Sequence, residues 1–477
     1  MTPEKFCLQL LKNFPFEPTP SQGLWFRSIS EFVILNHPKS VFLLKGYAGT
    51  GKTTLIGSLV KQLKNTGYKA VLLAPTGRAA KVMSIYSDYP SFTIHKQIYY
   101  PKTENSGKTK FQLKSNKHSK TIFIVDEASM IGDQPKNGNL FENMSLLSDL
   151  IQYVTAGNMC KLIFVGDPAQ LPPVNNSLSP ALDSKRLEHY YFKKVFEVEL
   201  NDVTRQKNDS GILYNANQLR LQIQSEINDQ YRFDIQNLKD IKSTTDGFFD
   251  VFEALETSFD QSGIDQTAFI VRSNKRANLI NKHIRKRILG LDDELCVGDQ
   301  LMIVKNNYYW LDVNSKAGFI ANGDIIEVLS ITSRKNIYDF SFAEVKVKLI
   351  DYPNEPPFKT VLLLNTLNSE TPSLSFDDGN RLYRNITEDY KYEKSKYKRF
   401  IKVKKNPFLN ALQVKYSYAL TCHKSQGGQW ENIFIEKPFM PDGINRDYLR
   451  WLYTAITRAT KKLFLIGFQE EDFILRN

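Results

Sequence analysis

Cysteine is scarce in this chain: Cys7, Cys160, Cys296 and Cys422 are four in 477 residues, far apart and with no Cys-x-x-Cys pair. That pattern argues against a disulfide framework and a zinc ribbon and leads us to expect a reducing, cytoplasmic setting. Histidine is also sparse, at six, and no two stand at a metal-ligand spacing. No apolar run approaches the ~18 residues a transmembrane helix needs, so no membrane partner is expected. The opening stretch, MTPEKFCLQLLKNF, lacks the long apolar core of a secretory signal. No tandem repeat recurs at solenoid periods. Acidic residues fall short of basic ones, 51 against 63, leaving a net charge of +12. A basic surplus favours a polyanionic partner. What remains is ordinary for a soluble globular protein, with 42% hydrophobic and 24% charged residues.

Through the first 200 residues, strand-like apolar runs (Val41–Leu44, Ala70–Ala74, Ile122–Val125, Lys161–Val165) alternate with helical patterns, each run ending in a Gly- or Pro-bearing turn. This alternation predicts an α/β fold with a parallel sheet covered by helices. A second α/β region starts near Thr267 and resumes near Phe408. Between them, short β-rich pieces (DQLMIV, DIIEVLS, EVKVKLI, TVLLL) split by Asn, Gly and Pro predict a small inserted barrel or sheet. Residues 96–120 read as a smaller insertion in the first region.

Three motifs carry nucleotide chemistry. VFLLKGYAGTGKTTLI places Gly46, Gly49, Gly51, Lys52, Thr53 and Thr54 in a phosphate-binding loop after a strand and at the start of a helix. Backbone N–H groups curl around phosphate there, at a helix N-terminus that already favours negative charge. Lys52 is expected to reach the β- and γ-phosphates, and Thr53 to ligate Mg²⁺. In TIFIVDEASMI a strand ends in Asp126, suited to Mg²⁺, and Glu127, suited to polarising a water. In KLIFVGDPAQLPPV, Asp167 and Gln170 follow another strand, and a neutral amide at Gln170 can contact the γ-phosphate without adding charge.

The ordered set GYAGTGKTT, LLAPTGRAAKVM, TIHK, DEASM, GDPAQLPPV, TRQ, YALTCHKSQGGQW and WLYTAITRA resembles superfamily 1 nucleic-acid helicases, specifically the RecD/Dda-like branch. The resemblance covers most of both α/β regions and fades in 96–120, 207–265 and 305–405. It implies two RecA-like domains with ATP in the cleft between them: residues 1–200 as the first, carrying a pin-like hairpin at 96–120, and 201–300 with 406–477 as the second. Residues 301–405 would be an inserted barrel of SH3-like type. Arg205 and Arg458 would be arginine fingers, supplying positive charge where negative charge develops. Gln22 in TPSQ would contact adenine, and Gly428 would allow close approach near the phosphates.

The resemblance also implies a nucleic-acid track: Pro75, Thr76 and Arg78, then Thr93, His95 and Lys96 in the first domain, and Thr421, His423, Lys424 and Ser425 in the second. Gln426 lies where that last loop turns toward the nucleotide. Residues 96–120 hold seven Lys against one Glu, and 391–405 seven Lys and one Arg against one Glu, both interleaved with aromatics. Such segments suit single strands, and equally suit solvated loops. In the family an aromatic at a hairpin tip abuts the fork; Phe111 is the matching residue here, with Tyr99 or Tyr100 in its place, or packing of the Phe111 ring on its own domain, as the alternatives. The expected activity is an ATP- and Mg²⁺-dependent DNA helicase and translocase, 5′→3′ by resemblance. It is expected to act as a monomer on single-stranded and on forked or tailed duplex DNA. An RNA substrate stays open, because backbone contacts and stacking serve both; so does a phosphotransferase that unwinds nothing.

Overall fold

The computed structural model describes the chain except residues 36, 38, 104–108, 135–144, 175, 203–209, 226–230, 237, 245–249, 312–314, 316–318, 351, 353, 440–442 and 475–477, and except the side chains of 101–103 and 109–111. The first sheet uses β1 (Ser40–Gly46), β2 (Lys69–Ala74) and β3 (Ser91–Thr93). A hairpin, β4 (Tyr99–Thr103) and β5 (Thr109–Leu113), intervenes before β6 (Thr121–Val125), β7 (Lys161–Gly166) and β8 (Lys194–Leu200). The sheet order is β3-β2-β6-β7-β1-β8, all parallel. Its central strands are apolar on both sides because both faces are covered. On β1, Phe42 and Leu44 enter a core with Trp25, Phe26 and Leu55, whereas Val41 and Leu43 enter the opposite core with Ile94, Leu147 and Leu150. The strand's two-residue period sends its residues alternately to the two faces.

The second sheet contains β9 (Ile241–Ser243) and β10 (Thr267–Val271), and later β16 (Ala419–Thr421), β17 (Trp430–Glu436) and β18 (Ala459–Ile466), in the order β16-β10-β17-β18-β9. It too is parallel throughout. Between β10 and β16 a closed barrel forms from β11 (Gln300–Ile303), β12 (Ile325–Ile337), β13 (Phe340–Leu349), β14 (Phe358–Leu363) and β15 (Leu412–Tyr416). The barrel's interior, with Leu301, Val345 and Val414, is continuous with the core under Phe269 and Phe434 of the second sheet.

Two features differ from the pattern read in the sequence. The strand that closes the barrel, Leu412–Tyr416, lies beyond residue 405 and pairs with β11 and β14. The lysine-rich 391–405 segment is largely a helix, Lys396–Lys404. It pairs with the helix Phe376–Glu388, and Leu382, Ile386 and Val403 pack on the outer barrel wall at Phe340, Phe342 and Val361. Among the described residues, no helix is long and apolar enough to cross a membrane.

Candidate functional site

The phosphate loop runs from β1 into the helix Lys52–Leu63, whose Leu55, Ile56, Leu59, Val60 and Leu63 are buried. Gly49 and Gly51 adopt φ of 75° and 85°, where a side chain would be strained. A Cβ on Gly51 would also lie 2.7 Å from Gln22 Nε2. The Lys52 ammonium donates to the carbonyls of Gly46 (2.6 Å) and Tyr47 (2.9 Å), holding it over the loop. Thr53 is exposed and Thr54 half-buried in the helix's first turn. Gln22 is buried, accepts from the Thr19 N–H (3.1 Å) and donates to the Thr50 carbonyl (3.0 Å). It therefore braces the loop from behind.

Asp126 and Glu127 follow β6. Asp126 accepts from the Tyr86 hydroxyl (2.5 Å) and from the Glu127 N–H (2.8 Å). Glu127 has φ 52°, a left-handed conformation uncommon outside glycine. Burial pushes its carboxyl above the ordinary range, opposed chiefly by Arg458. Arg458 Nη1 lies 3.8 Å from Glu127 Oε1, and its guanidinium donates to the carbonyls of Thr454 (3.0 Å) and Gly428 (3.2 Å). Asp167 is buried, accepting from the Tyr453 hydroxyl (2.7 Å) and the Ala169 N–H (2.9 Å). Gln170 is buried too, and its Oε1 has no hydrogen-bond partner among the described residues. Lys52, Asp126, Glu127, Asp167, Gln170 and Arg458 thus meet at the seam between the two sheets. Arg205 lies outside the described residues.

The loop after β16 presses on the first domain. Gly427 has φ 73°, and a Cβ there would lie 2.7 Å from Ala79 Cβ; one on Gly428 would lie 3.0 Å from Arg78 Nε. The Arg78 guanidinium stacks on Trp430, 3.7 Å from the ring centre, so it braces the two domains. Gln426 donates to the Leu171 carbonyl (2.8 Å).

Pro75, Thr76, Thr93 and His95 line a cavity of about 980 Å³ whose far wall is the barrel. Thr76 and Thr93 also cap the helices that follow, accepting from the N–H groups of Ala79 and Lys96 (both 3.2 Å). The facing wall brings Lys305, Asn306, Tyr308 and Tyr309 from the loop after β11 and Lys404 from the helix packed outside the barrel, and the Tyr308 ring stacks on Phe319 with centres 4.6 Å apart. Sequence order hides this wall, because its residues are more than 200 positions from those they face; only the adjacent pair Tyr308 and Tyr309 within a β-rich insertion hints at it. Lys96 does not line the cavity; its ammonium sits 5.1 Å from the Phe92 ring centre, and burial lowers its pKa. In the second domain, Thr421 and Lys424 line a separate small recess with Asn274 and Lys415. Burial pushes Lys424 and Lys415 each down to about 8. His423 is exposed, whereas Ser425 is fully buried and donates to the Cys422 carbonyl. The Phe111 side chain lies outside the described ones; its residue pairs with Pro101 across the hairpin.

Residues 32–232 match the AAA domain family, and 416–466 match the UvrD-like helicase C-terminal domain. An uncharacterized protein of Acanthamoeba polyphaga mimivirus is 24% identical over 93% of this chain and 98% of its own. The ATP-dependent DNA helicase dda of Enterobacteria phage T4 is 23% identical over 89% of this chain and 93% of its own. The RecBCD enzyme subunit RecD of Buchnera aphidicola is 24% identical over 97% of this chain and 75% of its own. These family matches and relatives support a superfamily 1 helicase of the RecD/Dda-like branch. A solved Pif1 helicase in a study of DNA unwinding at forked duplexes aligns over 97% of this chain and 95% of that chain, at 16% identity and a TM-score of 0.48.

Proposed function

We propose that the protein is an ATP-dependent DNA helicase and single-strand translocase that moves 5′→3′. One observation carries the reading: groups suited to phosphate chemistry come from both sheet domains and meet at one seam, with Arg458 3.8 Å from Glu127. Hydrolysis that needs both domains makes chemistry depend on how they close.

Each group has a definite task. Lys52 exchanges its two carbonyl contacts for the β- and γ-phosphates, and the loop's N–H groups hold the same oxygens. Glu127, its carboxyl raised by burial, accepts a proton from the attacking water. Gln170 offers its side-chain oxygen to that water and its amide NH₂ to a phosphate oxygen. Arg458, joined by Arg205, stabilises the charge that builds on the phosphoryl oxygens. Thr53 and Asp126 are the residues that would hold Mg²⁺; a hydroxyl and a carboxylate are the hard donors it takes. Bound there, Mg²⁺ would neutralise charge on the phosphates.

The single strand runs through the cavity between Pro75, Thr76, Thr93 and His95 and the barrel, then along Thr421, His423 and Lys424. Threonines at helix N-termini suit backbone phosphates, which position a strand without reading its sequence. Tyr308 and Tyr309 supply stacking surfaces on the opposite wall. The test is ATP hydrolysis with and without single-stranded DNA, followed by strand separation on 5′- and 3′-tailed duplexes. We expect stimulated hydrolysis and unwinding of the 5′-tailed substrate. Hydrolysis indifferent to nucleic acid would favour a phosphotransferase, and stimulation by RNA alone would move the substrate class.

A further inference from the structure

We propose that Tyr453 is a positioning residue that ties second-domain movement to the phosphate loop and to the turn bearing Gln170. The inference rests on the helicase reading above and adds a residue to it.

Tyr453 stands on the helix Arg446–Ile456 of the second domain and is 1% exposed. Its hydroxyl reaches into the first domain and makes two bonds there. It accepts from the Ala48 N–H, in the middle of the phosphate loop, at 2.8 Å. It donates to Asp167 Oδ2 at 2.7 Å. Burial and the neighbouring Asp167 carboxylate hold the phenol well above its ordinary pKa, so the proton stays on Tyr453 and the donor direction is fixed. The other Asp167 oxygen accepts from the Ala169 N–H at 2.9 Å, and the Asp167 carbonyl accepts from the Gln170 N–H at 3.3 Å. One hydroxyl therefore links the loop that grips phosphate to the turn that presents Gln170.

The same helix makes two further contacts beside it. Thr454 Oγ1 accepts from the Leu171 N–H at 2.8 Å, and the Thr454 carbonyl accepts from Arg458. A rotation of this helix that moves Arg458 relative to Glu127 must also pull on Ala48 and Asp167. In the other direction, a shift of the phosphate loop on nucleotide binding reaches the second domain through the Ala48 N–H. A phenylalanine could fill the same volume but carry neither bond. A hydroxyl shared between two domains in a buried seam has its value in geometry, because burial keeps it from exchanging these partners for solvent.

The experiment is Tyr453→Phe in the full chain, read by thermal midpoint, ATP binding, hydrolysis with and without single-stranded DNA, and unwinding. We expect the midpoint to fall by no more than a few degrees and ATP affinity to stay near wild type while DNA-stimulated kcat falls by ~10-fold or more, the size of one lost bond to a buried charge. Unwinding should fall further than hydrolysis. Asp167→Asn and the double variant complete a cycle: the double variant should be little worse than the worse single. Additive losses, an unchanged kcat, or losses of kcat and ATP affinity in parallel would each overturn the proposal. Lys52→Ala serves as the control for the helicase reading; wild-type hydrolysis in that variant would sink the reading itself, whereas wild-type behaviour of Tyr453→Phe alone would sink only the coupling.

Discussion

At the scale of single residues, function depends on charges that the fold has moved off their ordinary values. Glu127 is held in a left-handed backbone at the end of β6, with its carboxyl raised by burial and restrained by Arg458. Such strain persists only where the surroundings fix it, here the Asp126 bond to the Glu127 N–H. Glu127→Gln keeps the shape and removes the proton acceptor, so hydrolysis should slow by ~10²-fold or more with nucleotide binding retained; normal turnover in a variant verified to bind ATP would contradict the assignment. Lys424 gives a pH test. Its folded pKa is lowered to about 8 by burial and by Lys415, below the free-lysine value. Below that value the ammonium is charged and can hold a phosphate; above it the charge is lost. Affinity for single-stranded DNA at constant salt should therefore weaken as pH rises through about 8, and Lys424→Arg, charged throughout, should flatten the profile. The folding sign is opposite: between about 8 and the free-lysine value the unfolded chain binds more protons, so stability contributed by this residue rises with pH. An identical pH profile in both proteins would remove Lys424 from the track.

At the scale of elements, what is legible in the sequence is what the chain writes contiguously. The phosphate loop, DEASM and GDPAQ each join one strand to one turn, and the physical reason for each residue type sits within a few positions. The parallel sheets are legible because helices on both faces demand unbroken apolar strands such as TIFIV. The closing barrel strand is not, because LQVKY is defined by pairing with β11, far earlier in the chain, and its own pattern reads as well for an α/β strand. Nor is the helix Lys396–Lys404, whose lysines mask the short apolar pair, Phe400 and Val403, that it buries. Arg78 shows the same limit within a motif: the residue type suits phosphate, but its neighbour in space is Trp430, far along the chain and adjacent only after folding. Gly427 lets the demand for close approach be tested. With φ 73° and Ala79 Cβ only 2.7 Å from an added methyl group, Gly427→Ala must push the loop away from the first domain. DNA-stimulated hydrolysis should drop severalfold, with ATP affinity near normal because the phosphate loop is untouched; unchanged stimulation would mean the close approach is not needed for closure.

At the scale of the whole molecule, the basic surplus of +12 is distributed, and the helix pair outside the barrel carries a concentrated share. Lys391, Lys394, Lys396 and Lys398 are exposed there beside exposed Tyr392 and Tyr397, while Glu393, the lone acid of the segment, is already paired with Lys402. The helix runs into the cavity's edge, since Lys404 lines that cavity and the Tyr309 hydroxyl donates to the Lys405 carbonyl at 2.8 Å. A strand that left the cavity along this helix would pass these lysines. Long-range charge of this kind acts through counterion release, which salt dependence measures directly: log affinity falls with log salt by about 0.7 per phosphate neutralised on single strands. Replacing the four lysines by glutamine should reduce the slope by roughly 2–3 if most of them meet phosphate, and should leave hydrolysis without DNA unchanged because none belongs to the seam. Glutamine is chosen because it keeps helix propensity and length, so a fall in affinity cannot be laid to a melted helix. The slope discriminates where affinity alone does not: a changed fold lowers affinity at every salt concentration, whereas lost phosphate contacts lower it most in dilute salt and scarcely at high salt. A slope equal to wild type would make the pair a solvated buttress of the barrel and confine the track to the cavity.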